Sequence, residues 1–204
     1  MLFNDSYLTI NSSFQGLFKD KGSKFLAYAY PFDDETALKE IINNLKLEHP
    51  KANHFCFAYR LGLDQTAFRV NDDGEPSGTA GRPILNTLLS KELTNILVVV
   101  VRYFGGTLLG VPGLINAYKK ATEQVISESE IVSDTVKDYY QIKFEYLEMN
   151  DVMKIIKDDD LLIINKNFNL DCEIDLAINQ TKTNQTIQKL EHIKNLTFKY
   201  LSSK

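Results

Sequence analysis

Three groups of residues in this sequence have types and spacings that could do chemistry. The first is a pair of Gly-rich turns, Gly78-Thr79-Ala80-Gly81 and Gly105-Gly106-Thr107, each leading to a helix start and each with an arginine close by, Arg82 and Arg102. Helix N-termini offer unpaired N–H groups and the positive end of the macrodipole. A guanidinium adds planar, permanently charged donors, so the combination suits a phosphate or a carboxylate. Against it stands ordinary turn geometry, in which glycine supplies positive φ and an arginine caps carbonyls or meets an acid. Neither turn has the spacing of a Walker or dinucleotide fingerprint. The second group is the acidic run Asp72, Asp73 and Glu75. It could hold a hard metal or pair with Arg82 or Arg102; lacking the later ligands of a calcium loop, it reads as solvated turn or salt-bridge partner. The third is His54 with Cys56, two apart on a strand and therefore on one face. A nucleophile and base need a third, orienting group, so a packed cysteine beside a hydrogen-bonded histidine is the favoured reading. Cys172 and His192 read as bystanders.

Aromatic residues interleave with the arginines: Tyr59, Phe68, Tyr103 and Phe104 with Arg60, Arg69 and Arg102. Stacking rings beside positive charge suit RNA. Core aromatics alternating with exposed arginines along strands give the same pattern and explain most of it. All four arginines of the chain lie between positions 60 and 102, whereas lysines are spread throughout.

These residues need elements to position them. Tyr7–Ile10, Phe14–Phe18 and Ser23–Tyr30 read as strands, the last two meeting at a Lys21-Gly22-Ser23 turn. Asp33-Asp34 stands at an N-cap, and Leu38, Ile41, Ile42 and Leu45 mark the buried face of a helix that His49-Pro50 ends. Asn53–Leu61 and Thr66–Val70 pair through Gly62-Leu63-Asp64, and a polar loop runs from Asn71 to Gly81. Pro83 opens a second helix. Ile96–Val101 is a buried strand, and a third helix spans about Gly113–Glu128. The texture changes around Val132–Asp138, which puts a boundary between domains 1–134 and 135–204. Strands at 139–146, 161–166, 170–178 and 196–201, with helices at 151–157 and 183–192, give the β-α-β-β-α-β order of a ferredoxin-like domain. The fold class is α+β with two domains, the first a two-layer α/β domain.

The chain has 204 residues, 44% hydrophobic and 25% charged, a globular mix long enough to bury a core without metals or disulfides. A net charge of −4 argues against coating nucleic acid by bulk positive charge, though not against a local basic patch. Two distant cysteines read as free thiols. Ile96–Val101 is far shorter than the ~20 residues of a membrane helix, and Met1–Asp5 lacks signal-peptide character. A cytoplasmic location without membrane contact is expected, as is the absence of cofactor and metal.

Four stretches in this order and spacing resemble the IMPACT (YigZ-like) family: Lys21-Gly22-Ser23-Lys24-Phe25, His49 through Tyr59, Asn71 through Pro83, and Arg102-Tyr103-Phe104-Gly105-Gly106-Thr107-Leu108-Leu109-Gly110 on to Ala117-Tyr118. Val111-Pro112-Gly113 departs from the family's usual Gly-Gly pair, and Lys119 stands where a glycine is frequent. The resemblance implies a first domain sharing its fold with a small-subunit ribosomal protein domain. It also implies a second domain like one of elongation factor G, and a role in translation. Eukaryotic members regulate translation under amino-acid starvation through protein partners, and for bacterial members RNA or ribosome binding is suggested.

The resulting expectation is a translation-associated binding protein that is not an enzyme. Its anion-binding face would comprise Lys24, His54, Asp73, Glu75, Gly78, Thr79, Gly81, Arg82, Arg102, Tyr103, Gly105 and Gly106. RNA, the ribosome or a translation-regulatory protein would be the partner. The alternatives are a hydrolase-like enzyme with His54, Asp73, Glu75 and Arg102 in a cleft, and a purely protein-binding regulator marked by an exposed apolar patch.

Overall fold

A computed structural model describes residues 6–62, 67–168 and 171–203. The Leu63-Asp64 turn and the expected strand starts at Thr66 and Leu170 lie outside the described residues, as does Met1–Asp5. The chain divides into two compact units, Tyr7–Asp134 and the residues from Thr135 onward.

In the first unit, β2 (Phe14–Asp20), β3 (Ser23–Pro31), β4 (His54–Leu61), β5 (Ala67–Asn71) and β6 (Ile96–Tyr103) form an antiparallel sheet in the order β2-β3-β6-β4-β5. The central strand β6, ILVVVVRY, is apolar on both faces because both are covered. On one face Phe25, Ala27, Cys56, Ala58, Val98 and Val100 pack against α2 (Gly81–Ser90) and α3 (Gly110–Glu128). On the other, Tyr28, Phe55, Phe57, Leu97 and Val99 pack with Leu38 and Leu45 of α1 (Leu38–Glu48). α1 lies on this second face because its Leu38 and Leu45 need a sheet face to bury against. α1 covers that face only in part, leaving the ends of β2 and β3 open to solvent.

Local signals explain most element boundaries. Asp34 accepts the Thr36 N–H at 2.9 Å and caps a 3₁₀ turn that feeds α1. The helix ends at His49, before Pro50. The β2–β3 hairpin turns on two residues, Lys21 and Gly22, both at positive φ, as the twist of two-residue hairpins requires. α3 begins at Gly110, three residues earlier than expected, since Pro112 fits the first turn where its missing N–H is not needed. Missed by sequence reasoning is β7 (Ile131–Thr135), which pairs with β1 (Ser6–Ile10) in a two-stranded sheet. Its sequence, IVSDT, has no clear alternation.

The second unit contains β8 (Lys137–Glu145), α4 (Met149–Asp158), β9 (Leu162–Phe168), β10 (Asp171–Asn179), α5 (Thr183–Glu191) and β11 (Thr197–Ser203). Its sheet has the order β11-β8-β10-β9, antiparallel throughout. This is the connection of a split β-α-β unit. Ile142, Phe144, Ile174, Leu176 and Ile178 pack against Val152 and Ile156 of α4 and Leu190 of α5. Among the described residues, no helix is long and apolar enough to cross a membrane.

Candidate functional site

The polar loop between β5 and α2 is folded by its own acids. The Asp72 carboxylate accepts the N–H groups of Gly78 at 2.8 Å, Ala80 at 3.0 Å and Gly81 at 2.8 Å. Thr79 is buried with its hydroxyl on the Pro76 carbonyl. The α2 N-terminus thus already holds an anion, which belongs to the chain. Pro83 has no N–H, and Ile84 bonds back to the Ala80 carbonyl, so at most the Arg82 N–H is left for an outside ligand. The N–H groups of Gly78 and Gly81 and the Thr79 hydroxyl, expected to face an anion, are bonded within the chain. A Cβ at Gly81 would sit 2.8 Å from the Asn71 nitrogen.

Glu75 turns inward from this loop. One of its carboxylate oxygens accepts Arg102 Nη1 at 2.5 Å and the Tyr118 hydroxyl at 2.8 Å. His54 Nε2 lies 3.9 Å from the same oxygen. Cys56 Sγ is 3.0 Å from the Asp72 carbonyl and 3.3 Å from the Tyr118 oxygen, and its single S–H serves one at a time. Burial pushes the Cys56 thiol and the Tyr118 phenol up, so both stay protonated and neutral. Arg102 is 5% exposed, lies 5.4 Å from the Phe25 ring and 5.7 Å from the Phe104 ring, and its Nε has no hydrogen-bond partner among the described residues.

Arg102 therefore cannot meet an outside phosphate as the molecule stands, and the expectation that strand arginines are exposed is corrected for it and for Arg60, 3% exposed with Nη1 on the Leu93 carbonyl. Arg69 and Arg82 are the exposed pair. The hydrolase-like grouping is also revised. His54, Asp73, Glu75 and Arg102 do come together, but His54 donates to the Asp73 carbonyl at 2.8 Å and the Asp73 carboxylate accepts the Phe55 N–H at 2.6 Å. The three clefts described are lined by other residues. Among the described residues, no cluster is arranged to hold a metal ion.

Lys24 and Tyr103 lie on the α1 side of the sheet and line a cleft of about 520 Å³ with Leu17, Lys19, Gly22, Leu26, His49 and Phe104. Register builds it: Lys19 stands directly opposite Lys24, Lys24 opposite Tyr103, and Leu17 opposite Leu26 one row in. The Tyr103 hydroxyl is 2.9 Å from His49 Nδ1, and the Tyr28 hydroxyl is 2.6 Å from His49 Nε2. Burial, then the Glu48 charge, pushes Tyr28 up to about 12, so it stays a neutral hydroxyl in that bridge. Gly105, next to the lining residue Phe104, packs against the β2–β3 turn. Its N–H donates to Ser23 Oγ at 3.1 Å, and a Cβ there would fall 1.9 Å from the Gly22 carbonyl carbon. Gly106 has φ +86° and faces open space.

The family model described as the Impact N-terminal domain matches residues 21–126. The chain belongs to the IMPACT family. It is 32% identical to IMPACT family member YigZ of Escherichia coli over 172 residues, covering 83% of this chain and 84% of that one. It is 29% identical to IMPACT family member YvyE of Bacillus subtilis over 179 residues, covering 88% and 82%. A crystal structure described as that of a hypothetical protein superposes with a TM-score of 0.74 at 29% identity, over 97% of this chain and 98% of that one.

Within this IMPACT-family chain the twelve expected site residues separate into three places. Arg102, Glu75 and His54 form the interior cluster with Asp73 beside it. Gly78, Thr79, Gly81 and the exposed Arg82 belong to the loop and the α2 start, while Lys24, Tyr103 and Gly105 edge the cleft, next to Gly106. Sequence reasoning missed Lys19 and His49. A signal for Lys19 existed, since a two-residue turn at Lys21-Gly22 fixes Lys19 opposite Lys24. Nothing local could have placed His49 between two tyrosine hydroxyls from β3 and β6.

Proposed function

We propose that this chain is a translation-associated binding protein whose first unit holds an RNA phosphate in the cleft between β2, β3 and β6. The translation role follows from the family. The face is argued from Lys19 and Lys24, which stand directly opposite each other on the α1 side of the sheet, exposed and without an acidic partner among the described residues. Like charges opposed across a strand pair destabilise a sheet, so folding alone gives no reason for the arrangement, and an anion does. The face is not the Arg102-bearing one expected, because Arg102 is already neutralised by Glu75.

Anisotropy titration with structured RNA at low and physiological salt tests this reading. The parent should bind with strong salt dependence, since contacts to phosphate release counterions. The double variant Lys19→Glu, Lys24→Glu should lose that binding. No binding by the parent, or equal binding by the variant, overturns it.

A second reading, a protein partner, is favoured by one observation. Leu108, Val111 and Ile115 are 84%, 51% and 40% exposed and are spaced i, i+3, i+7 into the first turns of α3. Pull-down with Leu108→Ser, Ile115→Ser tests it.

A further inference from the structure

We infer that the cleft takes a single-stranded RNA segment, with a base stacked on Phe104 and the neighbouring phosphates on Lys19 and Lys24. This rests on the RNA reading above and names the form of RNA. Beyond the two ammonium groups, Gly22 and the His49 imidazole held between two tyrosine hydroxyls, what lines the cleft is aromatic and apolar: Tyr103, Phe104, Leu17 and Leu26. A duplex hides its base faces and presents sugar and phosphate, so it would leave those side chains unmatched, whereas an unpaired strand offers a base to each kind of surface. At about 520 Å³ the cleft is of the size that holds one small-molecule-sized group.

Phe104 is built for stacking. The residue is 46% exposed. Its backbone N–H is fixed by Asn53 Oδ1 at 2.9 Å, and the Arg102 guanidinium lies 5.7 Å from the ring centroid. Arg102 is itself held by Glu75, so the interior cluster presets a ring that would otherwise sample several rotamers. Tyr103 is likewise tied down, through His49. A preordered aromatic loses less rotamer freedom on binding. Glu48, its carboxylate 3.5 Å from His49 Nε2, is an acid on the same side of the sheet as the two lysines and is turned to the histidine.

The test uses labelled oligoadenylate as a single strand, the same RNA annealed to its complement, and an equivalent DNA strand, titrated by anisotropy over a salt series. The single strand should bind at least tenfold tighter than the duplex. Phe104→Ala should weaken single-strand binding by roughly ten- to a hundredfold, the range of one base–aromatic stack, with the salt slope unchanged. Phe104→Tyr should restore it. Lys19→Ala with Lys24→Ala should flatten the slope of log K against log salt by about 1.4, the value for two phosphate contacts on a single strand. All these side chains are exposed, so the variants should keep the parent's circular dichroism. Equal affinity for duplex, or an unchanged affinity in Phe104→Ala, overturns the stacking inference while lysine-dependent binding still supports the RNA reading. No binding of any RNA overturns both. Equal binding of the DNA strand supports the stacking inference and shows that the ribose hydroxyl is not read.

Discussion

Replacing Glu75 by leucine should destabilise the first unit by about 3–5 kcal/mol, far more than a side chain of its size on a polar loop would suggest. Among the described residues Glu75 supplies the one carboxylate bonded to Arg102, at 2.5 Å, and the Arg102 side chain is 6% exposed. A guanidinium cannot shed its proton inside a protein. With Glu75 gone the charge stays, buried between Phe25 and Phe104, with Nε already lacking a partner among the described residues. Arg102→Met should cost less, because the Glu75 carboxylate it strands keeps the Tyr118 hydroxyl. The double variant, with no charge left to bury, should return to within about 1–2 kcal/mol of the parent, so the coupling energy should be about 2–3 kcal/mol plus whatever Arg102→Met costs alone. Urea unfolding followed by tyrosine fluorescence gives the numbers, with hydrogen exchange at β4 and β6 amides reporting the first unit separately. A Glu75→Leu variant within about 1 kcal/mol of the parent would mean that water reaches the pair. Additive single effects would mean that the two residues do not act together. Either result refutes the buried cluster.

Two further outcomes follow from backbone contact and from charge. Gly105→Ala must displace the β2–β3 turn, since its Cβ would lie 1.9 Å from the Gly22 carbonyl carbon and 2.1 Å from the Ser23 nitrogen. Gly106→Ala meets open space and bears only the cost of φ +86°, about 1–2 kcal/mol. Thermal scans should therefore show a drop of several degrees for Gly106→Ala and a clearly larger one for Gly105→Ala, and equal drops would contradict the close approach. In the second unit, burial raises the Asp159 carboxyl, but hydrogen bonds from Lys189 and Thr186 outweigh it and hold the group below its usual value of 3.8. A carboxyl depressed in the fold contributes stability that is present above the unfolded value and is lost as pH falls through the folded one. Acid titration of the parent should show that loss below about pH 4, and Asp159→Asn should remove its share; identical acid profiles would count against the contact.

The elements of both units were legible because their periodicities are strong. β6 reads as a continuous apolar run, α1 as Leu38, Ile41, Ile42 and Leu45, and the second unit as alternating strands and helices. Side-chain roles were less so. Asp72 looks like any acid in a polar loop, and only the folded backbone brings Gly78, Ala80 and Gly81 to its oxygens. Arginine on a strand next to aromatics reads as exposed, since burying it is costly without a partner. The partner, Glu75, comes from a loop 27 residues away, and no local pattern announces that meeting.

The cluster also explains why the four motif stretches occur together without reference to a ligand. The Arg102 carbonyl accepts the Asn53 N–H at 2.8 Å, its side chain takes Glu75, and Glu75 takes Tyr118. Three residues on from Arg102, Gly105 lies against Gly22 and Ser23. Each stretch supplies one piece of a joint at the end of β6, so the pattern marks a folded junction before it marks a binding site. The two cation types then divide the work by their chemistry. Arginine, planar and unable to lose its charge, suits the fixed interior pair. Lysine, a point charge on a flexible stem, suits a surface that must follow a phosphate chain. On that division the motif arginine lies beside Phe104 from within, and under the proposed reading Lys19, one strand outside the motif, would do the binding beside Lys24. A Lys19→Ala variant that lost no RNA affinity while Arg102→Lys, with its fold intact, lost most of it would reverse the assignment.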